Sequence, residues 1–585
     1  MQHRPSFFRF PGRLDRWQRL LPYALLLTVT FALYGPALYF DFVWDDLDYV
    51  LKNYRIQGFS LLHLRMIWSR TFLGHYAPIH HTFLAILHSF SGVEPFGYHL
   101  GQFLVHAACV CLLYFVVKKV ESGRVALLAS LLFAVYPANI ETVAWISETK
   151  STLAFFFFLV AFWFFLRLRE SGRWGYGVWC GCFLLLSWLS KINTVVAPAI
   201  FLLWDYRQGD LFKKDRLRSL AVFFLVSFVF VGIHLTSSYT SGQVLEGSAY
   251  YGGLGVHVLN LPLLVLFYVQ MVVFPYPLTA WHMFAVYQTL NWILLAAWIG
   301  MLGLLGLLSR SNRTVQLWGL WFLVFLAPVL QIFPFPIWVA DRYLYIPAAG
   351  AFVLASKGFF WVRERLPKLW PRVGWEAAMA VILLAFAWDT HNHLPVWRTD
   401  LSLWGTTVQG CMSSAYCHTN LGLVLLTQGQ TEMGMKELIR AVELRPIPRY
   451  LIRLGDAYMM GARDYRQALI AYQMAIGQGG PEIPAEFYAR LARLHMVRGD
   501  WQEARRALQA GQKKDADNPH LLVVTAFYHW KQNDLENTRQ ALRRAFGVTG
   551  ANADLATFIH FYWADASEEG RLLAALGSSP LGDHP

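Results

Sequence analysis

Apolar runs close to 20 residues long recur from the N-terminus to about residue 390, and after residue 416 the pattern changes. Runs of that length match the thickness of a bilayer core and predict membrane-spanning helices. They fall at 20–39, 98–117, 125–140, 150–167, 176–190, 192–206, 219–236, 290–308, 315–333, 343–361 and 374–390. A further run at 258–274 is interrupted by Pro262 and followed by Pro275 and Pro277. Counting it as a crossing would invert every later loop, so 258–288 is predicted to be re-entrant or interfacial. The expected count is about eleven spans. From Tyr416 onward the chain is polar, Ala-rich and helical, with a repeat of about 34 residues. Leu421-Gly422 recurs as Leu454-Gly455 and then as Leu491-Ala492. Turn signals keep step at Gly429-Gln430, Arg463-Asp464, Gly499-Asp500 and Asn533-Asp534, and Ala441, Ala475 and Ala510 fit a small-residue slot. This is the tetratricopeptide pattern in about four units, which predicts an α-solenoid that binds protein. The fold class expected is all-α: a polytopic helical bundle over 1–395, a connector at 396–415 and repeats over 416–585.

Charge changes the picture by its placement. The net charge of +13 could point to nucleic acid, but the basic residues sit in clusters between apolar runs. Examples are Lys118, Lys119 and Arg124, then Arg167, Arg169 and Arg173, then Lys213, Lys214, Arg216 and Arg218. Clusters in alternate loops follow the positive-inside rule, placing the N-terminus inside, the C-terminus outside and the chain in a lipid bilayer, with no nucleic-acid partner. The first run has no small-residue cleavage site and reads as an uncleaved anchor. Of the six cysteines, Cys109/Cys111 and Cys180/Cys182 lie in apolar runs and read as packing residues. Cys411 and Cys417 follow the last run, where an oxidising compartment would allow a disulfide.

On this topology the outer loops collect the chemistry. The stretch 39–49, YFDFVWDDLDY, holds four aspartates among aromatics just after the first span. Adjacent Asp45 and Asp46, boxed by Phe42, Trp44 and Leu47, are candidates for a general base, because like charges and desolvation both raise a carboxylate pKa. The competing reading is a hydrated acidic loop. The loop 40–97 also holds an amphipathic piece near residues 61–72 and the turn His75-Tyr76-Ala77-Pro78-Ile79-His80-His81. Consecutive histidines on a helix diverge by about 100° and chelate one ion poorly, so substrate contact or hydrogen bonding is expected there rather than metal. Asn139, Glu141, Glu148 and Lys150 surround one outer turn, Lys191 lies between two short spans, His282 follows the Pro-rich segment, and Asp341-Arg342 opens another run. Each alone could be a helix-end anchor. Acids with Lys and Arg converging on one membrane face point instead to catalysis beside an anionic headgroup, with Arg342 or Lys191 on phosphate.

With those residues placed, the chain resembles the transmembrane and tetratricopeptide-repeat O-mannosyltransferases of the GT-C superfamily, as a bacterial relative. The motifs that carry the resemblance are FVWDD (42–46), YAPIHH (76–81), FGYHLGQFLVHA (96–107) and LLFAVYPANIETVAWISETKSTLA (131–154). They continue through LLSWLSK (185–191), FPFPIWVADRYLYIP (333–347) and VWRTDLSLW (396–404). Departures from the family pattern are Tyr76-Ala77-Pro78-Ile79 for Tyr-Arg-Pro-Leu, Tyr136-Pro137 for His-Pro, and Thr149-Lys150-Ser151 for Arg-Lys-Asp. They lie near the expected acceptor or sugar pocket. The resemblance implies an inverting transferase that moves a sugar from a polyprenyl-phosphate donor to a hydroxyl of an extracytoplasmic protein. Asp45 or Asp46 would be the base, Asp45 favoured as the first acid of the pair. Arg342 and Lys191 would bind the donor phosphate, and Glu141, His80, His81, Lys150, Tyr76 and Asp341 would line the cleft. It implies no metal and no cofactor beyond the donor itself, and a protein acceptor selected by the repeats. The short loops and reduced length suggest a bacterial inner membrane, with site and repeats facing the periplasm. The alternatives are transfer of a whole lipid-linked oligosaccharide to pilin or envelope protein, and a non-catalytic scaffold recruiting partners through its repeats. A transporter would show acids at mid-span and inverted repeats, neither of which is visible.

Overall fold

The computed structural model describes residues 13–69, 71–240, 252–332, 337–366, 369–479 and 483–549, with 559, 563 and 566–576. The first four residues of the motif at 333–347 and, in the repeat region, 480–482, 550–558, 560–562, 564–565 and 577–585 therefore lie outside the described residues. The chain forms two compact units, one through Leu403 and one from Trp404.

In the first unit each of the eleven predicted runs is helical over most of its described length, 125–140 breaking after Val135 and 315–333 after Val329. Six helices among the described residues are long and apolar enough to cross a membrane: Gln18–Tyr39, Pro95–Val120, Ile146–Ser171, Leu254–Val273, Trp292–Arg310 and Trp370–Trp397. Gly123–Val135, Trp174–Ser190 and Arg313–Val329 are shorter apolar helices. The long helix Leu254–Val273 is continuous through Pro262. Its first turns are rejoined by the segment that follows it. Asn260 donates to the Tyr287 carbonyl (2.8 Å) and accepts from the Tyr287 amide (3.0 Å). The segment after this helix thus runs back alongside it, and the helix itself, expected to be re-entrant, is by length and composition one of those able to cross a membrane.

In lipid, tails compete with side chains for apolar contact, so helices associate through close packing and interhelical hydrogen bonds. Both are present around Thr149–Ser171, which lies at the centre of the bundle. Phe158, Phe162 and Phe165 pack on Trp321, Phe325 and Phe201, the last pair stacked at 4.1 Å. Gly350 meets the Trp318 carbonyl so closely that a Cβ would sit 2.8 Å from it, which lets Pro347–Arg365 seat against Arg313–Leu326. Ser187 donates to the Ala154 carbonyl, Thr390 to Val135, and Tyr136 to Met271, each at 2.7–2.8 Å. Such bonds contribute about 0.6 kcal/mol each.

The second unit is built from antiparallel helix pairs. They are Ala415–Thr427 with Thr431–Leu444, Pro448–Ala457 with Tyr465–Gln478, Ala485–Arg498 with Trp501–Lys514, and Pro519–Lys531 with Leu535–Thr549, after which comes Ala566–Leu576. All four predicted turns hold a left-handed residue at the same place: Gly429 (φ 76°), Arg463 (54°), Gly499 (82°) and Asn533 (62°). Gly and Asn adopt that conformation readily, whereas Arg463 carries a steric cost of about 1–2 kcal/mol. The Leu-Gly signature is a packing requirement, since a Cβ on Gly422 would lie 2.8 Å from Leu438 and 2.9 Å from the Gly434 carbonyl. Ala441 and Ala475 fill the small slot as expected. In the third pair the slot belongs to Gly511 rather than Ala510: a Cβ there would meet Leu521 at 2.7 Å, and Ala510 is half-exposed. Cys411 and Cys417 form a disulfide.

Candidate active site

One end of the membrane bundle brings together segments that are distant in sequence. They are the loop after the first span, the short helices Asn139–Ala144 and Ile146–Glu148, Lys191 at the end of Trp174–Ser190, and the turn Asp341–Leu344. Each lies at a helix end, so its polar side chains can meet without being buried in mid-membrane.

The organising residue is Glu148, 1% exposed at the N-terminus of the central helix. It accepts from Lys191 (2.9 Å) and from the Ser151 hydroxyl, with Lys150 at 3.5 Å and the Arg342 Nε at 3.6 Å. Lys191 also donates to Ser151 at 2.7 Å. Glu141 binds Arg342 twice, through its guanidinium and through its backbone amide (2.7 Å). Three cations therefore converge on two buried carboxylates, a degree of pairing that offsets their desolvation. Aromatic faces complete the box. Trp44 and Trp145 stack at 4.4 Å and 5°, with Trp397 5.9 Å from Trp145. Arg342 lies 5.3 Å from the Trp145 ring and 5.9 Å from that of Trp44, and Lys150 lies 5.0 Å from that of Tyr49.

The two candidate bases differ sharply. Asp46 is fully buried and tied down: its Oδ1 accepts from the Ser147 amide (2.7 Å) and hydroxyl (2.5 Å), and its Oδ2 from the Val43 amide (3.2 Å). Asp45 is partly exposed, and among the described residues nothing donates a hydrogen bond to its carboxylate. Burial pushes the Asp45 carboxyl up to about 6, against the opposing pull of Lys150 and Arg342. Burial also pushes Asp46 up, to about 7, against its Ser147 bonds. An unclaimed carboxylate that titrates near neutrality can take a proton from a hydroxyl; one that already accepts three bonds is a structural strut.

The other expected residues are distributed as follows. Lys150, Lys191, Arg342 and Glu141 are in the cluster. Asp341 points away from it, accepting from His282 Nε2 (2.7 Å) and the Thr279 amide (3.3 Å) at the edge of a pocket shared with Glu141, Ile140, His393 and Trp397. His80 and His81 are buried, their rings packed 5.5 and 5.6 Å from that of Tyr49, and burial lowers both from the ordinary histidine range. They support Tyr49, which carries Lys150 on its face. Tyr76 donates to the Trp68 carbonyl (2.8 Å) away from the ions. Among the described residues, no three His, Cys, Asp or Glu side chains form a group able to hold a metal. Sequence reasoning placed Glu148 on the outer turn but gave it no role; what it missed is Glu148 as hub, Ser151 as a donor to it, Ser147 as the double donor to Asp46, and the indoles of Trp145 and Trp397. The run Ser147-Glu148-Thr149-Lys150-Ser151 at the very start of an apolar span is the signal that could have found the first three.

A bundle with an acid–cation cluster at one end, followed by tetratricopeptide-type helix pairs, is similar in arrangement to the membrane O-mannosyltransferases with tetratricopeptide repeats that the sequence resembles. Comparison with known proteins agrees: residues 75–234 match the family described as dolichyl-phosphate-mannose-protein mannosyltransferase. The chain is 23% identical to the protein O-mannosyl-transferase F38B6.6 of Caenorhabditis elegans, over 75% of this chain and 65% of that relative. It is 24% identical to Tmtc3 of Drosophila melanogaster, over 69% and 52%. It is 23% identical to TMTC3 of Homo sapiens, over 81% and 57%; both carry the same protein O-mannosyl-transferase name. The chain spans between half and two thirds of the length of these relatives.

Proposed function

We propose that this protein is a membrane glycosyltransferase that moves a sugar from a polyprenyl-phosphate-linked donor to a hydroxyl of an extracytoplasmic protein, with inversion and with Asp45 as the base. The observation that carries this reading is the contrast of an unclaimed Asp45 with a fully engaged Asp46 beside a cluster of three cations. In the step proposed, the acceptor oxygen attacks the anomeric carbon while Asp45 takes its proton. The new C–O bond forms as the bond from the anomeric carbon to the phosphate oxygen breaks. The electron pair leaves on the lipid phosphate, whose charge Arg342 and Lys191 stabilise. Glu148 holds those cations in place between turnovers, and Lys150 keeps the Asp45 carboxylate in its working field. The reaction balances without a metal or redox partner. The likeness to protein O-mannosyl-transferases supports mannose as the first sugar to try.

The Cys411–Cys417 disulfide supports an oxidising compartment for the segment after the last apolar helix. The repeats are then the natural acceptor selectors, since tetratricopeptide solenoids bind peptides and proteins. The test is intact-mass spectrometry of secreted and envelope proteins from cells carrying wild type, Asp45→Asn or a deletion. A hexose-sized or larger increment, present with wild type and lost in Asp45→Asn at normal membrane abundance, is the result expected. Masses unchanged by the deletion would overturn the assignment.

A further inference from the structure

Trp44 has a left-handed backbone (φ 55°), a conformation that L side chains other than Gly, Asn and Asp rarely adopt. Something must hold it there, and the contacts that do so come from the far end of the unit. The Trp44 amide donates to the Asp400 Oδ1 at 2.7 Å, and three residues earlier the Asp41 amide donates to the Arg398 carbonyl at 3.0 Å. Asp400 is itself fixed. It opens the helix Asp400–Gly410, whose start is set by reciprocal bonds: the Ser402 amide to Thr399 Oγ1 (3.1 Å) and the Thr399 amide to Ser402 Oγ (3.0 Å). The reversal at Trp44 is what allows Asp46 to fold back on the Val43 amide and reach Ser147, while Asp45 remains in the field of Lys150 and Arg342. It also lays the Trp44 indole flat on Trp145.

We infer that Asp400 is a positioning residue for the reaction: its carboxylate clamps the Trp44 amide and so holds the left-handed turn that separates Asp45 from Asp46. Asp400 touches no reacting atom on this reading; it acts through the loop. The inference rests on the function proposed above only in its kinetic consequence, and its structural half can be tested without any transfer assay.

The structural test uses full-length detergent-solubilised protein with Asp45→Cys, labelled by a polar maleimide, the parent's labelling being subtracted. With Asp400 intact the added thiol reacts slowly; adding Asp400→Ala is expected to raise the rate at least fivefold, and Asp400→Asn, which keeps an acceptor oxygen, to leave it near the starting value. Equal rates in all three would overturn the clamp, whether or not the protein ever transfers a sugar. In the transfer assay, Asp400→Ala lowers kcat between tenfold and a hundredfold with the donor KM within twofold, and Asp400→Asn restores at least a third of kcat. A uniform loss that tracks the amount of folded protein, unrescued by Asn, would show Asp400 to be a stability residue only. If Asp400→Ala does not accumulate, the Asn variant with Ser402→Ala, which loosens the helix start, carries the same labelling comparison.

Discussion

The central helix Thr149–Ser171 has a buried charge cluster at each end, and the two are built from the same parts. At its C-terminal end, Arg169 grips Asp205 with Nε and Nη2 (2.9 and 2.7 Å), and Arg216 adds a third bond at 2.9 Å. Close in sequence terms to the other basic loops, Glu121 accepts from Arg207 (3.2 Å), Lys357 (2.6 Å) and the Trp318 indole (3.0 Å). Every carboxylate oxygen there is claimed, and the guanidinium forks meet the carboxylates in the planar geometry that makes such pairs strong. At the N-terminal end Glu148 and Glu141 are claimed just as fully, but Asp45 is not, and three cations converge on it and its neighbours. The lesson is that burial and ion pairing alone do not mark a catalytic centre. The difference between the two ends is the carboxylate left over once the pairing is complete, and the proposed function rests on it.

Breaking each cluster sharpens the comparison. Asp45→Asn leaves the packing intact and removes only the unclaimed acceptor, so transfer should fall by about 10²–10⁴-fold at unchanged thermal stability, read from initial rates and a melting curve. Glu148→Gln and Asp205→Asn each strand buried cations, at about 3–5 kcal/mol. Both should lower the melting temperature, but only Glu148→Gln should also lower the rate per folded molecule; a rate loss in Asp205→Asn would collapse the distinction between the two ends. Asp45 accepts a proton only when ionised, and burial places its carboxyl at about 6. The rate should therefore fall roughly tenfold per unit as the pH drops below about 6. The smallest effect expected is that of Ser147→Ala, which removes one of the three bonds to Asp46 at about 2 kcal/mol of stability. Its rate should drop less than that of Asp45→Asn by at least an order of magnitude.

Much of this was legible in the chain. Run lengths near 20 residues gave the helices of the bundle, because lipid offers the backbone no partner but its own. The four turn pairs of the repeat region were legible because a left-handed residue must recur wherever one helix reverses into the next. The Asp45-Asp46 pair was visible as an anomaly, acids among aromatics at a span end, and so were Lys191 and Arg342. One slip is instructive: Ala510 satisfies the small-residue pattern, yet Gly511 takes the slot, since helical phase is set by the packing of the pair and not by residue size.

What the sequence by itself determined is thus what local periodicity governs: which long apolar segments are helices and which ends of them carry charge. Only the tertiary structure decided which of two adjacent aspartates stays free, because that depends on Ser147 lying 101 positions away and supplying two donors to Asp46. It alone gathered Glu141, Glu148, Lys191 and Arg342 around one point, and it alone set Asp400 against the Trp44 amide across 356 positions. Hydrogen bonds and ion pairs act over about 3 Å in space whatever the separation along the chain, and no periodicity in the chain records them.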